Sequence, residues 1–179
     1  MLDAAATVFA TTPAPESVTM GTIAAAAGVG KGTLFRAFGD RDGLLDALAA
    51  ERFRPLRTAV EHAEGDFAAG RPAVRRIVSF LDAVLTFKLE NHNLMRAREA
   101  ASATSRSSDR YRWSHDVLCG MLADALPAAA HRSPHYLAHA LLALVQIDLV
   151  DELFAGGMSA DELRRQQAVQ VTAALSGRS

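Results

Sequence analysis

Apolar residues recur along this chain at three- and four-residue intervals, the period of a helix with one buried stripe. Leu2, Ala5, Ala6 and Phe9 mark a first helix over 2–10, and Pro13 and Pro15 break it. Met20–Ala27 and about Lys31–Phe38 read as two short helices, with Ile23, Ala24, Ala27 and then Leu34 and Phe38 turned inward. Asp40 caps a fourth helix from Arg41, buried along Leu44, Leu45, Leu48, Phe53 and Leu56, kinked at Pro55 and resuming to about His62. Arg71 to about Asn91 is apolar on two sides and therefore central. Further helices are expected over Asn93–Ala103 and Asp109–Leu126, separated by a Ser/Thr-rich loop at 102–108. After a connection at 127–132, Ser133-Pro134 starts a helix that runs as one element from Tyr136 to Phe154, where Gly156-Gly157 ends it. Ser159 to Glu162 has the form of a capping box for the last helix, ending near Ser176. The pattern predicts an all-α fold of about nine helices and shows no strand signal.

The stretch Ser17–Phe38 carries the sharpest local signals. Thr19 can cap the helix that follows, and Gly28 stands where a helix commonly ends in the left-handed region. Ala24 is small enough for the next helix to cross closely, while Ile23, Val29 and Leu34 fill the wedge. Two short helices joined in this way form a helix-turn-helix, whose second helix can enter the DNA major groove.

Composition narrows the picture without enlarging it. Of 179 residues, half are hydrophobic and 6% aromatic, and the formal net charge is −1. Cys119 stands alone, so no internal disulfide or cysteine zinc site is available, and the expected setting is a reducing cytoplasm. No signal peptide is read at Met1, and the apolar run Leu137–Val150 is too short and too interrupted to span a bilayer.

The run from Val18 to Leu45, with its alanine-glycine turn, the Gly32-Thr-Leu triplet and the Asp40-Arg-Asp helix start, resembles the DNA-binding head of TetR-family transcriptional regulators. The resemblance covers about the first quarter of the chain; the remainder matches only in helix number and length. It implies a helix-turn-helix domain over 1–40 and a helical ligand-binding and dimerisation domain over 41–179, with 41–62 as the connecting helix. It also implies a homodimeric repressor on a palindromic operator, released when a small molecule enters the body. Thr19, Gly30, Lys31, Gly32, Thr33, Phe35, Arg36 and Arg41 are the expected DNA-contacting residues. Lys31 and Arg36 can offer donors to guanine, Gly32 permits close approach to the groove floor, and Thr19 and Arg41 suit phosphates. Two departures stand out: Phe35 and Ala37 replace the tyrosine and histidine common in the family, and no basic arm precedes the first helix. Residues 1–50 hold three basic and five acidic side chains, a balance of −2. Weak affinity and a shallow salt dependence follow, and the missing basic residues are expected upstream of Met1.

For an effector pocket the residues nominated are Phe80, Val84, Phe87, Met95, Trp113, Val117 and Met121, with Gln146 and Asp148 as polar groups. Lys88, Arg96, Arg98 and Arg112 could meet an acidic ligand at the rim, but the expected effector is apolar or amphipathic. Leu137, Leu141, Leu144 and Phe154 are the expected dimer contacts, in a four-helix bundle made from the last two helices of each copy. Other readings fare worse. Gly28-Val-Gly-Lys-Gly-Thr33 fails as a phosphate loop, because Gly32 follows the lysine and Ala25 holds the first glycine position. His131, His135 and His139 recur every four residues, but His131 precedes the helix start and no carboxylate or cysteine joins the other two closely. No metal and no cofactor are therefore expected. No nucleophile–base pair is legible, so the chain reads as a non-enzyme. The alternative from another class is a protein that sequesters a small molecule and has lost useful DNA affinity.

Overall fold

The computed structural model describes residues 1–101, 108–126 and 132–176, with the backbone alone for 99–101. The Ser/Thr-rich loop before Ser108, the connection before Arg132, and His131 lie outside the described residues. Among the described residues the chain forms ten α-helices and no strand. These are α1 (Leu2–Thr11), α2 (Met20–Ala26), α3 (Lys31–Phe38), α4 (Arg41–Glu61), α5 (Ala73–Glu90), α6 (His92–Ala101), α7 (Asp109–Ala125), α8 (Pro134–Ala143), α9 (Ile147–Ala155) and α10 (Ala160–Ser176). Short 3-10 turns at Pro15–Ser17 and Gly65–Phe67 precede α2 and α5. The all-α class expected from the pattern is the class observed. No described helix is long and apolar enough to cross a membrane.

The extra helix comes from the segment expected to run unbroken from Tyr136 to Phe154. It turns at Leu144–Gln146, with Leu144 the last αR residue of α8 and Gln146 extended at the start of α9. Neither glycine nor proline marks this break. It is accommodated from a distance: the buried Gln167 of α10 donates to the Leu144 carbonyl at 3.4 Å. A helix end needs such partners because its last carbonyls have none inside the helix.

Contacts divide the chain into two units. The first joins Met1–Arg54 to the segment from Phe87 through α6. Its core centres on Phe9, Ile23, Leu34, Leu44, Leu45, Leu48, Phe53 and Met95, each at most 3% exposed. Phe53 and Phe87 meet edge to face with centroids 4.9 Å apart. Asn93 of α6 donates to the carbonyls of Phe9 and Thr12 at 3.0 and 2.8 Å, satisfying the end of α1. Arg98, also of α6, pairs with Asp46 of α4. The second unit joins Pro55–Thr86 to the described residues from Ser108 onward, with Phe80, Leu81, Leu118, Leu122, Ala138 and Val150 in its core. Here Arg75 and Ser79 bind the Asp66 carboxylate at 3.0 and 3.2 Å, and chiefly the Arg75 hydrogen bond holds that carboxyl below its ordinary pKa.

The caps predicted at Ser133 and Ser159 are in place, accepting from the N–H groups of Tyr136 and Glu162, and Ser108, read from sequence only as loop, caps α7 by accepting from the Tyr111 N–H. The Glu162 carboxylate turns forward to Arg165 and Gln166, so Ser159 supplies one arm of the capping box.

One glycine is needed for close approach. At the α3–α4 corner the Asp40 carboxylate accepts from the Gly43 N–H at 2.8 Å, as a cap should. A Cβ on Gly43 would lie 2.1 Å from the Phe38 carbonyl oxygen, so α4 must move away from α3 to admit any side chain. Gly43→Ala is expected to destabilise the protein by about 2 kcal/mol or more. Urea unfolding of wild type and variant measures this, and equal midpoints would remove the steric argument.

Candidate nucleic-acid interface

The geometry of the head is set by the residues that the local pattern singled out. Thr19 is extended before α2, and its Oγ1 accepts from the Thr22 N–H at 3.1 Å. The α2 helix ends at Ala27, and Gly28 follows at φ 64°. A non-glycine residue would be strained in this left-handed conformation. Gly30 then precedes α3 in extended conformation, and its carbonyl accepts from the Thr33 N–H at 3.0 Å.

Helix α3 has eight residues and Leu34 as its single buried one, at 0% exposure. Lys31, Gly32, Thr33, Phe35 and Arg36 are all exposed. Phe35 is 48% exposed, an unusual amount for an aromatic ring beside basic groups. Arg36 lies back along its own helix, its Nε donating to the Gly32 carbonyl at 3.3 Å. The Lys31 stem lies over Gly21: a Cβ built there would fall 2.7 Å from Lys31 Cε. The exposed residues of α3 thus offer two cations and a hydroxyl, donors that can reach bases and phosphates, beside an aromatic ring for apolar contact and a glycine that permits close approach.

Arg41 is placed differently from the other nominees. Its guanidinium faces the head, with Nε donating to the Val18 carbonyl at 2.8 Å and Nη2 to those of Pro15 and Glu16 at 3.0 and 3.4 Å. It braces the turn that leads into α2. Nothing local in the sequence announces this, because the accepting carbonyls lie 23 to 26 residues away.

The charge balance of the head depends on which segments the fold brings into it. Residues 1–54 contain five basic and six acidic side chains, and residues 87–101 of the same unit contain three basic and two acidic. Eight of each sign leave the unit formally neutral, in place of the −2 counted over 1–50 alone. Asp46, one of those five acidic groups, is matched by Arg98.

The effector-pocket nominees divide between the units. Phe87 and Met95 belong to the first, at 5% and 0% exposure. Phe80, Val84, Trp113, Val117, Met121, Gln146 and Asp148 belong to the second. Within it Phe80 and Trp113 are neighbours, ring centroids 6.1 Å apart, and Arg57 stands 5.4 Å over the Trp113 ring. Asp148 is exposed in the first turn of α9, where a carboxylate suits the helix dipole. Of the rim cations, Arg98 is committed to Asp46 and Arg112 pairs with Asp109. Two cavities are described elsewhere. One of about 350 Å³ lies among α1, α4 and the α5–α6 corner, lined by residues including Phe9, Leu48, Arg52, His92 and Asn93. The other, about 550 Å³, is a groove bordered by Arg132, Tyr136 and Leu137 of the α8 end and Ala173 and Ala174 of α10.

Residues 1–48 match the family of bacterial regulatory proteins, tetR family. The head is thus similar to the DNA-binding heads of that family, and the whole chain shares its fold with solved TetR-like regulators. LfrR from Mycobacterium smegmatis, a TetR-like transcriptional regulator solved in complex with proflavine, is 25% identical, with 96% of this chain and 91% of that one covered at a TM-score of 0.59. A TetR-like transcriptional regulator from Rhodococcus sp. RHA1 shares the fold at 20% identity and a TM-score of 0.66, covering 99% and 94% of the two chains. No curated protein matches the chain.

Because Arg41 makes three internal hydrogen bonds, its role is testable without DNA. Arg41→Met is expected to lower stability by about 1–3 kcal/mol, since it leaves carbonyls around Pro15–Val18 without their donor. Thermal unfolding at unchanged helical content checks this; an unchanged midpoint would mean the guanidinium braces nothing.

Proposed function

We propose that the protein is a ligand-responsive transcriptional regulator, acting as a cytoplasmic repressor that binds a palindromic operator as a homodimer. The observation that supports this most is the exposed face of α3, where Lys31, Gly32, Thr33, Phe35 and Arg36 surround a helix fastened from behind by Leu34. In this reading Arg36 and Lys31 reach base edges, Thr33 and the Thr19 end of α2 meet phosphates, and Gly30 and Gly32 allow the backbone to approach. Phe35 offers apolar contact where a hydroxyl-bearing ring would offer a phosphate bond. Arg41 contributes by holding α2 in place.

The homodimer is supported by apolar surface on α8 and α10. Tyr136 and Val169 are 70% and 58% exposed, and Tyr136 borders the groove described above. Leu137, Leu144 and Phe154 are half-buried, while Leu141 is already 4% exposed within the protomer and adds little to an interface. A two-fold pairing of these helices would cover the patch. The effector is a small apolar or amphipathic molecule; the LfrR–proflavine complex supports a small organic ligand.

Fluorescence anisotropy with DNA from upstream of the protein's own gene tests the regulator reading. Sequence-selective binding that weakens with salt and is reversed by a small molecule is expected; absence of any selective binding would overturn it. Arg36→Ala is expected to cost about 1–3 kcal/mol and to relax selectivity at one base position per half-site. Identical affinity and selectivity in that variant would remove Arg36 from the reading set. For the dimer, Tyr136→Glu and Leu144→Glu should both shift the sedimentation coefficient to that of a monomer. Tyr136→Glu should do so without lowering the unfolding temperature, and a persistent dimer in both variants would place the interface elsewhere.

A further inference from the structure

Helices α7 and α8 pack closely and bring together three histidines that the chain holds 20 and 24 residues apart in sequence. His135 and His139 stand one turn apart on α8, and His115 enters from α7. One ring nitrogen of each lies within 4.8 Å of the other two, and the ring centroids are 4.2 to 4.8 Å apart. Spacing along α8 alone had argued against a metal; the residue that completes the set comes from another helix.

We propose that His115, His135 and His139 form a binding site for a divalent transition cation of the zinc class. The hydrogen bonds around the cluster select the ligating atoms. His139 Nδ1 and the Tyr111 hydroxyl share a hydrogen bond at 2.7 Å, which leaves Nε2 as the ring nitrogen for a ligand. His115 Nδ1 lies 3.2 Å from the Asp116 carboxylate, so a proton there leaves Nε2 with its lone pair. A ligating histidine commonly gives its other N–H to a carboxylate or hydroxyl in this manner, which fixes the tautomer and raises ligand basicity. The contact that binding would break is the 3.3 Å one between His115 Nε2 and the His135 carbonyl. That carbonyl lies within α8, where the helical ladder provides its own donor.

Tetrahedral coordination with metal–nitrogen bonds near 2.05 Å requires nitrogens about 3.4 Å apart, so the rings must close by roughly 1.5 Å at most. His115 is buried, His139 half-buried and His135 exposed, which leaves the most accessible ring free to make that adjustment. An all-imidazole set suits zinc, nickel, cobalt or copper rather than magnesium or calcium, whose ligands are oxygens. Three ligands leave the fourth position to water. The bound ion would tie α7 to α8, and this inference stands independently of operator binding.

Isothermal titration of the full chain, stripped with EDTA and dialysed, with Zn(II) tests the site, and Co(II) absorption reports its coordination geometry. One ion per chain with micromolar or tighter affinity is expected, together with visible Co(II) bands of tetrahedral intensity. His135→Ala and His139→Ala should each weaken Zn(II) binding by at least about 100-fold, and Tyr111→Phe, which removes a hydrogen bond to a ligand, by about 10-fold. His62→Ala, in the turn just past α4 beside Glu64, should bind as wild type does. His135 is exposed, so its variant should fold, and circular dichroism verifies that. Absence of one-to-one binding by the wild-type chain, or wild-type affinity in His135→Ala or His139→Ala, would overturn the proposal.

Discussion

A helix of eight residues does not hold itself together in water, because so few hydrogen bonds are gained for the backbone freedom lost. In α3 that deficit is met from behind by Leu34, the one side chain of the helix that is fully out of solvent. Everything that makes the head useful is a consequence of this economy. With a single anchor, seven of the eight residues keep solvent contact. The anchor works only because its surroundings are fixed independently: the Gly28 turn sets the angle, Ile23 and Ala24 supply the seat, and the Gly43 corner lets α4 come close behind.

The cations of this head sort by what they touch. Arg41 and Arg98 have their guanidinium groups inside the fold, one on three carbonyls and the other on Asp46. Lys31 and Arg36 keep theirs at the surface. A net charge cannot separate these uses. The two internal arginines contribute to shape, and the two external cations are those available to a polyanion.

The helices and the turn were legible because their signals are local. Thr19 bonds three residues ahead, Gly28 acts at its own φ, and the serine caps bond to the residue three positions on. What escaped the sequence pattern is long-range in each instance. The α8–α9 break is supported by Gln167, the brace at Arg41 by carbonyls before α2, and the third histidine by α7. The pocket nominees illustrate the same limit: periodicity identified Phe87 and Met95 as buried, and both are, but it could not assign them to the same unit as Phe53 and Phe9 rather than Phe80. Burial is a property that one helix can announce; the identity of the neighbour is not.

Asn93 closes the end of α1 and Arg98 neutralises Asp46 of α4, so the unit that carries α3 is discontinuous along the chain. This gives it a timetable. On a ribosome the first 54 residues emerge well before α6, and for that interval Phe53 lacks Phe87 while two carbonyls near the end of α1 lack their donor. Contacts that close so long a loop form late and slow the search for the native state. The earlier segment of this unit is therefore not finished when it is made, because Pro55–Thr86 of the other unit must be synthesised in between.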